Sequence, residues 1–423
     1  MRNQLILENH RFASDPPRAK AIVMTLMKQK VDCLPARSGL YFKYIDALRG
    51  YAILGVMAVH ASSAAPDWEG VGRSIVNQGA RGVQLFFVAS ALTLMMSWQA
   101  RHDGAIRFYT RRLFRIAPLF WLGMVYFLWC DGFSPRYFAP RGVDGSHVLL
   151  TGLFLNGWHP EYITSIVRGG WSIAVEMSFY AVFPALMLVI KGWRSGIAAL
   201  VVTGILANVI LLGLWLVKGA LWPGVPDYLI ATFLSLWFPS QLPVFLVGFL
   251  LYFAIRDYSG VFSLGRLRIL LGISLLAMLV LSLVPLPVSR TGNSVYVMYA
   301  ACFALFAFCL ANGAVSELVN RAICYLGKIS FSAYLWHFAI ISYIEHSPRV
   351  SGTIFGLAGE HGILFFIGFF AGLVALTVLF SAVTYRGIEV PFIRLGNRVA
   401  GLLPDRRDPA KAVTAPACDP PVS

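Results

Sequence analysis

A chain of 423 residues would ordinarily fold as two or three soluble domains, but 58% hydrophobic against 13% charged residues leaves too little polar surface to solvate them. The mean hydropathy of +0.69, with 31 Phe and 11 Trp spread along the whole length, predicts an all-α integral membrane protein and excludes disorder, a coiled coil and a disulfide scaffold. The net charge of +15 does not indicate nucleic acid, because the basic residues sit between apolar runs rather than on one stripe.

In chain order, residues 1–44 carry eight Lys and Arg around one short apolar patch, "AIVMTLM". That patch is too weak for a signal-peptide core, so the segment reads as a cytosolic tail. Crossing the hydrocarbon core takes about 20 mostly apolar residues. Ten stretches qualify: 45–65, 81–98, 113–130, 172–190, 196–217, 229–253, 268–287, 295–312, 329–345 and 362–385. The run 147–156, "HVLLTGLFLN", is too short to cross and reads as interfacial or re-entrant. Pro239 and Pro243 predict a kink in the sixth span. The membrane domain is therefore 45–392, followed by a disordered cytosolic tail at 393–423. Six scattered cysteines, Cys33, Cys130, Cys302, Cys309, Cys324 and Cys418, form no C-x-x-C pair and are expected to be free thiols.

Ten spans put both ends of the chain on one side. The two tails and the loops 99–115, 191–195, 254–268 and 313–328 hold 26 Lys and Arg, against 7 in the loops between them. This asymmetry predicts cytoplasmic termini in a multi-pass protein.

Charged groups inside spans cost several kcal/mol unless they face the bundle interior, so each is a functional candidate. Arg49 and His60, in "DALRGYAILGVMAVH", are eleven residues apart, about three helical turns, and share one face with about 16 Å between them. Such a face suits a long anionic molecule entering from the cytosol with its reactive end at the imidazole. The plainer readings are an Arg49 that snorkels or pairs with Asp46, and a hydrogen-bonded bundle histidine. Arg81 and Gln84 open the second span from the outer side, and Glu176 lies a turn after Ser172 in the fourth. A buried salt bridge between Arg81 and Glu176 is as good a reading as a substrate role. Arg111, Arg112 and Arg115, in "RRLFRIAP", open the third span, where guanidinium forks suit phosphate and positive-inside anchoring explains them equally well. Ser330, Tyr334 and His337 share a face of the ninth span, which brings His337 toward the depth of His60. Arg386 and Glu389, at i,i+3, are expected to form an ion pair that fixes the last helix end.

Other patterns fail. The chain has no H-E-x-x-H, no Walker loop and no G-x-G-x-x-G, and "GWSIA" at 170–174 lacks the setting of a nucleophile elbow. No metal is expected.

At these residues the chain resembles the membrane acyltransferase-3 family, bacterial O-acyltransferases that modify surface and secreted glycans. The resemblance runs from about Tyr44 to Phe392 through "IDALRGYAILGVMAVH", "GVQLFFVAS", "FYTRRLFRIAPLFWL", "WSIAVEMSFYAVFP", "LGKISFSAYLWH" and "YRGIEVPF", six fragments in family order. It implies ten spans in the bacterial inner membrane and an acyl-CoA donor, acetyl-CoA above all, taken from the cytosol. The acceptor it implies is a hydroxyl of a polysaccharide or glycolipid. Carried over by motif, Arg49 and His60 are the essential pair, the arginines of "RRLFR" help hold the donor, and Glu176 and His337 line the site. Gln84 stands where the family usually has an acidic residue, and Ala91 where a glycine usually follows Ser90. No hydrolase-like domain follows the spans, so the stand-alone form is expected.

The expected chemistry is acyl transfer from thioester to hydroxyl, with neutral His60 as general base, Arg49 positioning the donor, and Arg81 or a backbone donor stabilising the oxyanion. An acyl-histidine intermediate is the alternative mechanism. The rival function is a polysaccharide exporter or flippase, for which paired broken helices in two related halves would be expected; no such internal symmetry is visible.

Overall fold

The computed structural model describes residues 43–65, 70–101, 104–284, 294–356 and 362–403; the expected N-terminal tail falls almost wholly outside this set, as do Cys33 and Cys418, whereas the first part of the expected C-terminal tail, 393–402, is helical rather than disordered. Cys130, Cys302, Cys309 and Cys324 are free thiols. Among the described residues all regular structure is helical, and extended pairing is confined to one bridge between Arg136 and Ala139.

The elements in chain order are α1 (Lys43–Ala64), α2 (Val71–Asn77) with a 3₁₀ turn (Gln78–Arg81), α3 (Gly82–Arg101), α4 (Ala105–Asp131), α5 (Gly145–Gly152), α6 (Gly170–Val189), α7 (Trp193–Leu221), α8 (Asp227–Leu236), α9 (Phe238–Tyr258) and α10 (Leu264–Leu283). They continue with α11 (Ser294–Ala311), α12 (Arg321–Lys328), α13 (Ser330–His346), α14 (Pro348–Gly356), α15 (Gly362–Thr384), a π-helical segment (Tyr385–Glu389) and α16 (Val390–Leu402). Each of the ten apolar stretches is helical over most of its length. Among the described residues eight helical segments are long and apolar enough to cross a membrane. The two stretches outside that count are α1, whose arginine, histidine and serines dilute its hydropathy, and α13, which has 17 residues. They are the two helices that carry Arg49, His60 and His337.

α1 tolerates this polarity because it lies inside the bundle, against α3, α12, α13 and α15. Ala47, Leu48, Ala52, Ile53, Val56 and Met57 are buried. Close approach comes from small residues: a Cβ at Gly327 of α12 would sit 1.7 Å from the Asp46 carbonyl oxygen, and one at Gly50 would sit 2.2 Å from that of Ile323. Helices in lipid associate through such backbone contact, since burial of apolar surface gains nothing there. A stack of rings fills the space between α3, α6 and α9, with Phe179 4.0 Å and Phe87 4.5 Å from Phe245. α7 packs on α9 yet buries only Gly196 and Ala207.

The sixth span is broken rather than merely kinked. Trp237 is extended between α8 and α9, and Pro239 sits in the first turn of α9. Carbonyls freed by the break find side chains: Ser240 Oγ donates to Leu234 O at 2.6 Å and Gln241 Nε2 to Ser235 O at 3.0 Å. The short run after His147 is α5, too short to cross, as expected.

Candidate active site

α1 sets the axis of the site. Arg49 lies on its first half, and Arg49 Nη2 donates to Thr93 Oγ1 on α3 at 3.1 Å. Thr93 is free to accept because its own proton goes to Ala89 O, one turn back, at 2.6 Å. The guanidinium therefore does not pair with Asp46. It lines a cavity of about 70 Å³ with Ser90 and Thr93 of α3, Arg112 and Arg115 of α4, Ser172, Glu176 and Tyr180 of α6, and Ser330 and Tyr334 of α13.

One carboxylate balances three guanidinium groups here. Glu176 Oε1 accepts from Ser90 Oγ at 2.7 Å and from the Tyr180 hydroxyl one turn away. Tyr180 and Phe108 also present ring faces to Arg112, whose carbon lies 5.8 and 5.7 Å from their centroids. Arg112 Nε is buried without a hydrogen-bond partner, so the fork is held by stacking and keeps donor capacity. Arg111, the remaining arginine of the motif, does not line the cavity.

Tyr334 closes the inner end. Its hydroxyl donates to Gly169 O at 3.1 Å and accepts from Ser172 Oγ at 2.9 Å, which ties α13 to the start of α6. Beyond that ring lies the histidine pair, with His337 5.6 Å from Tyr334 and 5.5 Å from His60, centroid to centroid. Phe338 packs on both imidazoles, at 4.4 Å from His60 and 4.1 Å from His337. His337 is fully buried, and its Nδ1 lies 2.9 Å from Ala333 O. A carbonyl can only accept, so Nδ1 carries the proton and Nε2, which is buried and unpartnered, presents a lone pair. His60 is half-buried, so it retains access that His337 lacks.

Arg81 and Gln84 lie elsewhere. The Arg81 guanidinium sits over Tyr296 and Tyr299 of α11, 4.9 and 5.7 Å from the ring centroids, with a buried, unpartnered Nε. No salt bridge joins it to Glu176. Gln84 is buried and donates to Gln241 Oε1 of α9 at 3.0 Å. That pairing accounts for an amide at this position, since a carboxylate there would face the Gln241 oxygen. Ala91, in the family's usual glycine position, is accommodated across the interface by Gly248, where a Cβ would meet the Ala91 methyl at 2.7 Å. The expected Arg386–Glu389 pair does not form: the Glu389 carboxylate instead accepts from Ser332 N, at 3.0 Å, and from Ser332 Oγ. The π-helical turn at Tyr385–Glu389 alters the spacing on which an i,i+3 pair depends and buries Glu389 against α13.

Sequence reasoning missed Tyr180, Thr93 and Ser90 as partners within the cavity. The fragment "EMSFY" placed Tyr180 one turn from Glu176 and could have flagged it; nothing local marks the pairing of Arg49 with Thr93.

A multi-helix membrane bundle enclosing an arginine-lined cavity beside paired histidines defines the class, and comparison with known sequences defines the family. The acyltransferase-3 profile, described as an acyltransferase domain, matches residues 42–386, and the chain belongs to that family. A Staphylococcus aureus (strain COL) protein provisionally named an O-acetyltransferase is 26% identical over 421 residues, covering 86% of this chain and 59% of that protein. The exopolysaccharide production protein ExoZ of Rhizobium meliloti (strain 1021) is 27% identical over 327 residues, covering 75% of this chain and 91% of ExoZ. The O-acetyltransferase OatA of Staphylococcus aureus (strain NCTC 8325 / PS 47) is 22% identical over 391 residues, covering 87% of this chain and 60% of OatA. The chain thus spans about three-fifths of the length of these staphylococcal relatives. No solved structure matches it.

Proposed function

We propose that this protein is an O-acyltransferase of the bacterial inner membrane, with ten spans and cytoplasmic ends. It moves a short acyl group, acetyl above all, from cytosolic acyl-CoA to a hydroxyl of a polysaccharide or glycolipid. One observation carries the reading: the cavity lined by Arg49, Arg112 and Arg115 runs up to Tyr334, and the His60–His337 pair lies on the far side of that ring. Guanidinium groups suit the phosphates of a coenzyme A donor, and a neutral imidazole suits removal of a hydroxyl proton. Family membership and the names of ExoZ and OatA point the same way.

In this mechanism the donor's phosphates bind at Arg112 and Arg115, and Arg49 holds the arm that carries the thioester. His60 takes the proton of the acceptor hydroxyl as its oxygen attacks the thioester carbonyl. The tetrahedral intermediate collapses by breaking the carbon–sulfur bond, and the departing thiolate is protonated from the imidazolium. His337, with Nδ1–H fixed on Ala333 O, offers its Nε2 lone pair beside His60 and stabilises that imidazolium. Turnover therefore needs no covalent enzyme intermediate.

The test is purified protein in vesicles, supplied with radiolabelled acetyl-CoA and envelope polysaccharide from the source organism. Label entering the polysaccharide supports the transferase. Polysaccharide crossing the membrane without label indicates an exporter instead.

A further inference from the structure

A second charged cluster lies outside the arginine cavity. Asp131 ends α4, Glu345 and His346 end α13, and Arg168 lies two residues before α6. Arg168 Nη1 meets Glu345 Oε2 at 2.6 Å, and its Nε lies 3.9 Å from Asp131 Oδ2. The Asp131 carboxylate also lies 3.5 Å from His346 Nε2 and accepts from Ser342 Oγ at 3.4 Å. Asp131 is buried at the base of the cluster, while the side chains of Arg168 and Glu345 are 31% and 45% exposed. Arg136 pins the adjoining loop by donating to the carbonyls of Asp131, Gly132 and Ser165.

This cluster is coupled to the histidines through one corner of the backbone. Gly169, the residue after Arg168, has φ 72°, and a Cβ there would stand 2.4 Å from the Phe338 ring and 2.8 Å from the Tyr334 hydroxyl. Phe338 is the ring that packs on His60 and His337, so the backbone corner beside Arg168 abuts the ring that seats them. His60 is half-buried and does not line the arginine cavity.

The cavity and the cluster differ in charge. Three arginines face one glutamate in the cavity, whereas two carboxylates face Arg168 in the cluster, and counting Arg136 makes the latter only neutral. An acyl-CoA anion is attracted by the first and not by the second. A neutral polyol suits the second, because each sugar hydroxyl both donates and accepts and can meet a carboxylate and a guanidinium together.

We propose that Arg168 and Glu345 form the acceptor-side mouth of the site and bind hydroxyls of a neutral polyol, bringing one of them to His60. This inference rests on the transferase reading above and adds to it where the second substrate binds. Arg168 and Glu345 are binding residues and take no proton. The pair between them opens when sugar hydroxyls replace its contacts.

The experiment measures initial rates with radiolabelled acetyl-CoA and size-fractionated envelope polysaccharide from the source organism, varying each in turn. Arg168→Gln and Glu345→Gln should each raise the KM for polysaccharide about ten-fold, leaving the KM for acetyl-CoA within two-fold of wild type and kcat little changed. Arg168→Lys, which keeps the charge and loses the fork, should fall between. An unchanged polysaccharide KM, or a parallel shift in both constants, overturns the proposal. If Arg168→Gln fails to fold, Glu345→Gln decides alone, since that side chain lies at the exposed rim. Absence of label in the polysaccharide with wild-type protein overturns the transferase reading, and this inference with it.

Discussion

His60 and His337 come from helices nearly 280 residues apart in the chain, yet their rings lie 5.5 Å apart at a tilt of 37°. Only His60 keeps any exposure; His337 is sealed, with Nδ1 committed to Ala333 O and Nε2 left as a lone pair. This asymmetry assigns them different tasks, reaction with substrate for the first and support for the second.

Support by His337 depends on its Nε2. His337→Asn preserves a donor for Ala333 O and removes the lone pair beside His60. It should lower acyl transfer at least ten-fold with normal abundance and a melting temperature within a few degrees of wild type. Retention of more than half the activity would reduce His337 to packing.

The donor arginines are separable by geometry. Arg112 stacks on Phe108 and Tyr180 and faces the cavity with Arg115, whereas Arg111 does not line it. Charge-assisted bonds are worth roughly 1.5–3 kcal/mol each. Arg112→Gln and Arg115→Gln should therefore raise the apparent constant for acetyl-CoA by about ten-fold or more, and Arg111→Gln should change it much less. Lysine at 112 or 115 keeps the orientation signal and loses the bidentate fork, so it should also weaken donor binding. Wild-type donor constants in both lysine variants would make these arginines orientation signals only.

Gly169 is the backbone corner that both Tyr334 and Phe338 touch. Gly169→Ala puts a side chain into a left-handed conformation and pushes on the Phe338 ring. The conformational term alone costs more than about 1 kcal/mol. Thermal unfolding in detergent should show a lower midpoint, and transfer should fall further than stability does, because the displaced ring is the one that seats the histidines.

Much of this was legible in the sequence. Each apolar stretch read from hydropathy is helical over most of its length, and helical spacing brought His337 near His60's depth. The rest depended on partners that no local pattern names. The Gln84–Gln241 amide pair spans 157 positions and explains a departure from the family pattern that looked like a lost carboxylate. The Glu389–Ser332 contact replaces a neighbour pairing because a π-helical turn, invisible in an apolar run, changes the local spacing. Arg168 counted in the sequence only as one of seven charges on the poorer side; its contacts with Asp131 and Glu345 required three helix ends to meet.

Orientation can be read with reporters. Arg107 Nε and Nη2 donate to Leu403 O at 3.1 and 2.8 Å, so the start of α4 and the end of α16 share one end of the bundle. Fusions after Arg107 and after Leu403 should both report the cytosol, and a fusion near Gly142 the outside. A cytosolic Gly142 would put the Arg168 cluster on the donor side and reverse the assignment of the cavity and the cluster.

The central claim is that His60 performs the chemistry, and one variant tests it most directly. His60→Ala, reconstituted beside wild type in vesicles at matched abundance, should lose transfer of label from acetyl-CoA to envelope polysaccharide by about 10²–10⁴-fold, the usual contribution of a general base. It should bind acetyl-CoA with wild-type affinity, because Arg49, Arg112 and Arg115 are untouched. A variant that transfers label at the wild-type rate, or one that loses activity only in step with folded protein, would contradict the account and leave His60 a structural histidine of the bundle.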